Sequence, residues 1–124
     1  YVDCTMGGAG HSKEIVKIAV EAMKDKKASD VKILDISKIS VIADYFIIAD
    51  GNNGNQIQAI VDNIQEKLHD AGVKEPRVEG YNTATWVLLD YNDVIIHIFN
   101  KEDRLFYDLD RIWRDGKEIN VEEL

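Results

Sequence analysis

A chain of 124 residues with 45 % hydrophobic and 31 % charged residues has room for one domain and one core, and is too apolar to remain disordered. Its formal net charge of -8 speaks against a nucleic-acid backbone or an anionic membrane surface as partner, and suits a basic protein partner or plain solubility. The single cysteine, Cys4, excludes an intrachain disulfide, and no apolar run approaches the roughly 20 residues that a membrane helix needs.

Residues 1–10 are Gly-rich and aperiodic, and are expected to form a tail; no signal sequence is apparent. Ser12 can cap a helix to about Lys26, with Ile15, Ile18, Ala19, Ala22 and Met23 on one stripe. Short apolar strands follow at Val31 to Ile36 and Tyr45 to Asp50. The turn Gly51-Asn52-Asn53-Gly54 then leads into a second helix. Asn53 and Gln56 have the spacing of a capping box. Ile57, Ile60, Val61, Ile64 and Leu68 share one face, with Gln56, Asp62, Asn63, Glu66 and Lys67 off it, and Gly72 ends the helix. Pro76 opens an extended piece, Arg77 to Tyr81. Thr85 to Asp90 and Val94 to Asn100 lie close enough to form only an antiparallel hairpin. A last helix is predicted from Glu102 to about Trp113, followed by a polar, frayed tail. The expected fold is α/β, one domain over residues 11–114, with a mixed sheet of about five strands flanked by helices. Residues 1–10 and 115–124 are left as tails.

The hairpin carries an inference about function. An even-length turn pairs even positions of one strand with odd positions of the other. One face then carries Trp86, Leu88, Asp90, Ile95, His97 and Phe99; the opposite face, Val87, Leu89, Val94, Ile96 and Ile98, is wholly aliphatic and suits packing under helices. The mixed aromatic and polar face suits a partner, so Trp86, Leu88, His97 and Phe99 are expected to form one exposed patch of binding anchors. The alternative is that a helix covers this face too and His97 is a satisfied core histidine.

Chemistry fares worse. His11, His69 and His97 lack metal-ligand spacing, and Cys4 has no base held beside it. Gly51 to Gly54 lacks the lysine of a phosphate loop, so a capped turn explains it more simply. Asp108 and Asp110 resemble a magnesium-holding pair, but residues two apart on a helix diverge. No catalytic residue, metal or cofactor is therefore assigned.

The hairpin is also where the sequence resembles a known family, the ribosomal silencing factors, or Iojap-like proteins. The matching stretches are Ala43-Asp44-Tyr45-Phe46-Ile47-Ile48-Ala49, Arg77-Val78-Glu79-Gly80, Trp86-Val87-Leu88-Leu89-Asp90-Tyr91 and Val94-Ile95-Ile96-His97-Ile98-Phe99. Arg104, then Phe106-Tyr107-Asp108-Leu109 and Trp113, complete the order. The resemblance implies a nucleotidyltransferase-like fold without catalysis, in a cytoplasmic protein that often forms homodimers. It implies binding to the large ribosomal subunit through ribosomal protein fourteen, which obstructs subunit joining and represses translation under nutrient limitation. Neither a membrane nor direct sequence-specific nucleic-acid binding is implied. The partner-binding residues expected on this basis are Trp86, Leu88, Asp90, His97, Phe99, Arg104, Phe106, Tyr107 and Asp108. Relatives commonly carry Ser or Thr and then Arg before Gln56; here Asn53 and Asn55 stand instead. Two other readings remain: an enzyme using Asp108 and Asp110 with magnesium and nucleotide, and a scaffold whose hairpin face only self-associates.

Overall fold

The computed structural model describes residues 11–38, 43–101 and 117–119. The elements are α1 (His11–Asp25), β1 (Ser29–Asp35), β2 (Tyr45–Gly51), α2 (Gly54–Asp70), β3 (Arg77–Glu79), β4 (Trp86–Asp90), β5 (Val94–Asn100) and β6 (Lys117–Ile119). They build a mixed sheet in the order β3-β4-β5-β2-β1-β6. The central pair β2 and β5 is parallel and the remaining neighbours are antiparallel. The helix expected from Glu102 to about Trp113 lies outside the described residues, as do Arg104, Phe106, Tyr107 and Asp108.

The helices form where the apolar stripe recurs at helical spacing, and each ends on identifiable chemistry. Ile15, Val16, Ala19, Val20, Ala22 and Met23 bury one face of α1. Beyond its end Lys27 takes a left-handed φ of 61°, and the Ala28 amide donates back to the Met23 carbonyl at 3.0 Å. That six-to-one bond closes the helix in the Schellman manner with a lysine where glycine is usual. α2 closes the same way on Gly72, at φ 85°, with the Val73 amide on the Leu68 carbonyl at 2.9 Å. At its start the Asn53 side chain accepts from the Gln56 amide at 2.9 Å, the expected cap. The reciprocal bond is displaced by one residue: Gln56 Oε1 accepts from the Asn52 amide. Gln56 Nε2 donates to the carbonyls of Lys26 and Lys27, tying the start of α2 to the end of α1.

The helical period sets Asn63 off the apolar face, yet it is buried. It lies between the two helices, where its side-chain amide donates to the Ala22 carbonyl at 2.9 Å. A buried amide that finds its partner is tolerated in a core, and here it ties α1 to α2.

The sheet register follows the even-turn expectation. Trp86 opposes Phe99, Leu88 opposes His97 and Asp90 opposes Ile95. Val87, Leu89, Val94, Ile96 and Ile98 pack into the main core with the apolar faces of α1 and α2. The expected mixed sheet of about five strands flanked by helices is present, with six strands among the described residues. The extra one comes from the stretch read as a frayed tail, where Ile33 pairs with Ile119 and Asp35 with Lys117. Three residues carrying one hydrophobe show no alternation of their own. The open edge of β1 supplies the pairing instead.

Candidate functional site

The face of the sheet turned away from α1 and α2 carries its own smaller apolar cluster. Leu34, Ile36, Ala43, Phe46, Ile48 and Phe99 are buried in it, and Trp86 and Ile95 pack against it half-buried. Register partners define its rows. Glu79, Leu88, His97, Ile48 and Lys32 run across the strands in one row; Arg77, Asp90, Ile95, Phe46 and Leu34 run in the next.

Among the described residues, four rings are the centre of this face. Trp86 stacks on Phe99 with centroids 5.2 Å apart. Phe46 meets His97 edge-on at 4.9 Å. The Trp86 indole Nε1–H donates to His97 Nδ1 at 3.1 Å. Because Nδ1 accepts, the neutral ring carries its proton on Nε2, an assignment that follows from the hydrogen bond. Nε2 is buried and has no hydrogen-bond partner among the described residues. Burial pushes the His97 pKa down to about 4, since a charged imidazolium would lose its hydration there.

The expectation of one exposed patch is therefore corrected. Trp86 and Leu88 are half-exposed, but His97 is only 5 % exposed and Phe99 is fully buried. The cause is position in the sheet. β5 is flanked by β4 and β2, whereas β4 lies beside the three-residue edge strand β3. His97 and Phe99 thus lie beneath Trp86 rather than on the exposed surface. His97 is also not the satisfied core histidine of the alternative reading, because one nitrogen is satisfied and the other is not. Asp90 is half-buried, and its Oδ1 accepts from the Asn92 amide at 2.8 Å, which shapes the hairpin turn.

Residues overlooked in the sequence complete the site. Glu79, Trp86 and Leu88 line an open cleft of about 240 Å³. The loop between β3 and β4 is pinned to α2 from both ends of Tyr81. The Tyr81 hydroxyl donates to Asp62 at 2.9 Å, and Gln58 donates to the Tyr81 carbonyl at 2.9 Å. Gly80 adopts φ 80° where the chain passes the Trp86 carbonyl. The one sequence signal for the cleft was the alternation Arg77-Val78-Glu79, which sets Glu79 on the same face as Leu88.

A larger depression of about 420 Å³ lies at the other end of β3, lined among others by Lys74, Glu75, Arg77, Asp90, Tyr91 and Asp93. The Tyr91 hydroxyl beside it is buried without a hydrogen-bond partner among the described residues, and burial first, Glu75 second, raises its pKa. An unpaired buried hydroxyl costs more than the phenyl that would replace it. Tyr91→Phe is expected to stabilise the protein by about 1 kcal/mol, raising the thermal midpoint by roughly 3–5 °C. A lowered midpoint would show that the hydroxyl is satisfied in solution.

For catalysis the described residues assemble little. No group of three His, Cys, Asp or Glu side chains among them could hold a metal ion. The amides of Asn52 and Gln56 in the turn before α2 are consumed by Gln56 and Asn53, so that turn is a cap. Among the described residues no helix is long and apolar enough to cross a membrane.

Comparison with known proteins bears on the same stretch. Residues 9–124 match the family described as Ribosomal silencing factor during starvation. The Ribosomal silencing factor RsfS of Halalkalibacterium halodurans is 40 % identical over 111 residues, covering 90 % of this chain and 95 % of that protein. The protein of the same name from Bacillus subtilis is 42 % identical over 106 residues, covering 86 % and 90 %. A crystal structure of a Chromobacterium violaceum protein superposes with a TM-score of 0.80 at 35 % identity, covering 87 % of this chain and 89 % of that one. A match spanning the helices, the whole hairpin and the stretch beyond it shows that the chain belongs to the ribosomal silencing factor family.

Proposed function

We propose that this protein represses translation by binding the large ribosomal subunit, through ribosomal protein fourteen, and standing where the small subunit would dock. The action is steric, so it needs a rigid contact surface and no reacting group. The observation that carries the reading is the half-exposed Trp86, held by a hydrogen bond to His97 and stacked on Phe99, in a chain of the ribosomal silencing family. A large aromatic side chain fixed in one orientation loses little entropy on binding and is the residue type most often found to dominate an interface. The net charge of -8 suits a basic partner.

Sedimentation with purified large subunits tests this. Trp86→Ala is expected to weaken binding about 30-fold, the equivalent of about 2 kcal/mol, and to restore subunit joining in a reassociation assay. Leu88→Ser, at the same cleft, should weaken it in the same direction. Undiminished binding by both variants, with unchanged thermal midpoints, would place the contact elsewhere on the molecule.

A further inference from the structure

We propose that Asn53-Gly54 is a site of self-modification, where the chain converts Asn53 to aspartate or isoaspartate whenever the cap of α2 opens. Asn53 is the one asparagine in the chain that a glycine follows.

The chemistry needs this pair and water. The backbone nitrogen of Gly54 attacks Cγ of Asn53, and the new carbon–nitrogen bond closes a five-membered imide. The bond from Cγ to Nδ2 breaks, the Gly54 amide proton passes through solvent to Nδ2, and ammonia leaves. Water then adds to one of the two imide carbonyls. Cleavage between Cγ and the Gly54 nitrogen gives aspartate in an ordinary backbone. Cleavage between the main-chain carbonyl carbon and that nitrogen gives isoaspartate, whose backbone runs through Cγ. Glycine favours the attack because it brings no Cβ to crowd the approach.

The folded geometry holds this reaction off. Asn53 is exposed, so water reaches it, but its backbone is extended, with φ -156° and ψ 170°. Ring closure requires rotation about ψ to bring the Gly54 nitrogen toward Cγ, and Gly54 is the first residue of α2. Two bonds oppose that rotation. Asn53 Oδ1 accepts from the Gln56 amide at 2.9 Å, and the Asn53 carbonyl accepts from the Ile57 amide at 3.0 Å. The Gln56 side chain adds a second lock, between the Asn52 amide and the carbonyls of Lys26 and Lys27. All of these side-chain bonds are exposed, and an exposed helix end opens far more readily than the whole fold. Opening of this turn therefore sets the rate. The two products differ in effect. Aspartate is as good a cap as asparagine and adds a favourable charge at the helix N-terminus. Isoaspartate lengthens the backbone before Gly54, so its acceptor no longer meets the Gln56 amide and the cap is lost.

The test holds the full chain in heavy-oxygen water at mildly alkaline pH and follows residue 53 by peptide mass mapping, with the two products separated by chromatography. The folded protein should gain the carboxyl label at residue 53 in both forms. It should do so about tenfold to a hundredfold more slowly than the same chain in urea, the factor by which a cap of ordinary strength keeps the turn closed. Gln56→Ala should convert faster than the unaltered chain when folded and at the same rate in urea. Gly54→Ala should lose most of the label; its Cβ would meet the Ala84 Cβ at an ordinary contact distance of 3.4 Å, so the variant folds. Asn53→Asp should keep or raise the thermal midpoint. No label in the folded protein once the urea sample has converted overturns the proposal. Equal rates with and without urea, or a folded Gln56→Ala no faster than the unaltered chain, overturn the control by the cap. A lowered midpoint in Asn53→Asp overturns the account of the aspartate product.

Discussion

Replacing Gly80 by alanine is expected to destabilise the protein by on the order of 3 kcal/mol and to spoil the Trp86 cleft. Two costs add at this position. Gly80 has φ 80°, a region that a Cβ disfavours by roughly 1–2 kcal/mol. The added Cβ would also stand 2.2 Å from the Trp86 carbonyl oxygen, which is backbone and cannot swing aside. Relief requires the loop to separate from the start of β4, and that moves Trp86 off Phe99. Gly72 supplies the control. Its φ of 85° is similar, but a Cβ there meets nothing within 4 Å, so Gly72→Ala should show only the conformational part of the cost. Chemical denaturation measures both. If the two alanine variants lose equal stability, the close approach at Gly80 does not exist in solution. A Gly80→Ala protein that folds should also bind large subunits as weakly as Trp86→Ala does.

Acid is expected to weaken the fold through His97. The unfolded chain binds a proton near the ordinary histidine value of about 6.5, whereas the folded site does so only at about 4. Above about pH 6.5 both states are neutral and the site contributes no pH dependence. As pH falls from 6.5 toward 4 the unfolded state takes up a proton that the folded state refuses, so stability declines over that window. The full loss is the shift of about 2.5 units at 1.36 kcal/mol each, about 3 kcal/mol, and it is complete below pH 4. His97→Gln retains an acceptor for the Trp86 indole and has nothing to titrate. Unfolding free energies at pH 7, 5.5 and 4.5 should therefore fall more steeply in the unaltered protein than in the variant. Parallel curves would mean that the buried ring is protonated as readily as a free one. The same shift keeps the indole hydrogen bond intact near neutral pH, because Nδ1 loses its lone pair only when the ring is charged.

Local pattern was enough for much of this protein. The stripe Ile57, Ile60, Val61, Ile64 and Leu68 identified α2, and Asn53 and Gly72 marked its ends, because caps depend on residues within one turn of the chain. The parity of the hairpin assigned the side chains of β4, and of β5 as far as Phe99, to their correct faces, since alternation is a property of the strand itself. The motifs around the hairpin also carried the family resemblance that the comparisons bear out. Exposure was decided elsewhere. Trp86 and Phe99 stand opposite each other on one face, yet one is half-exposed and the other fully buried. Strand order makes the difference, because β5 is covered from both sides while β4 lies beside a three-residue edge strand. The edge strand β6, the burial of Asn63 against Ala22 and the meeting of Glu79 with Trp86 and Leu88 have the same origin. Each joins residues distant in sequence, or neighbours that only strand pairing aligns, and no period in the chain encodes such a meeting. Periodicity assigns side chains to faces, and only the packed sheet decides which of them a partner can reach.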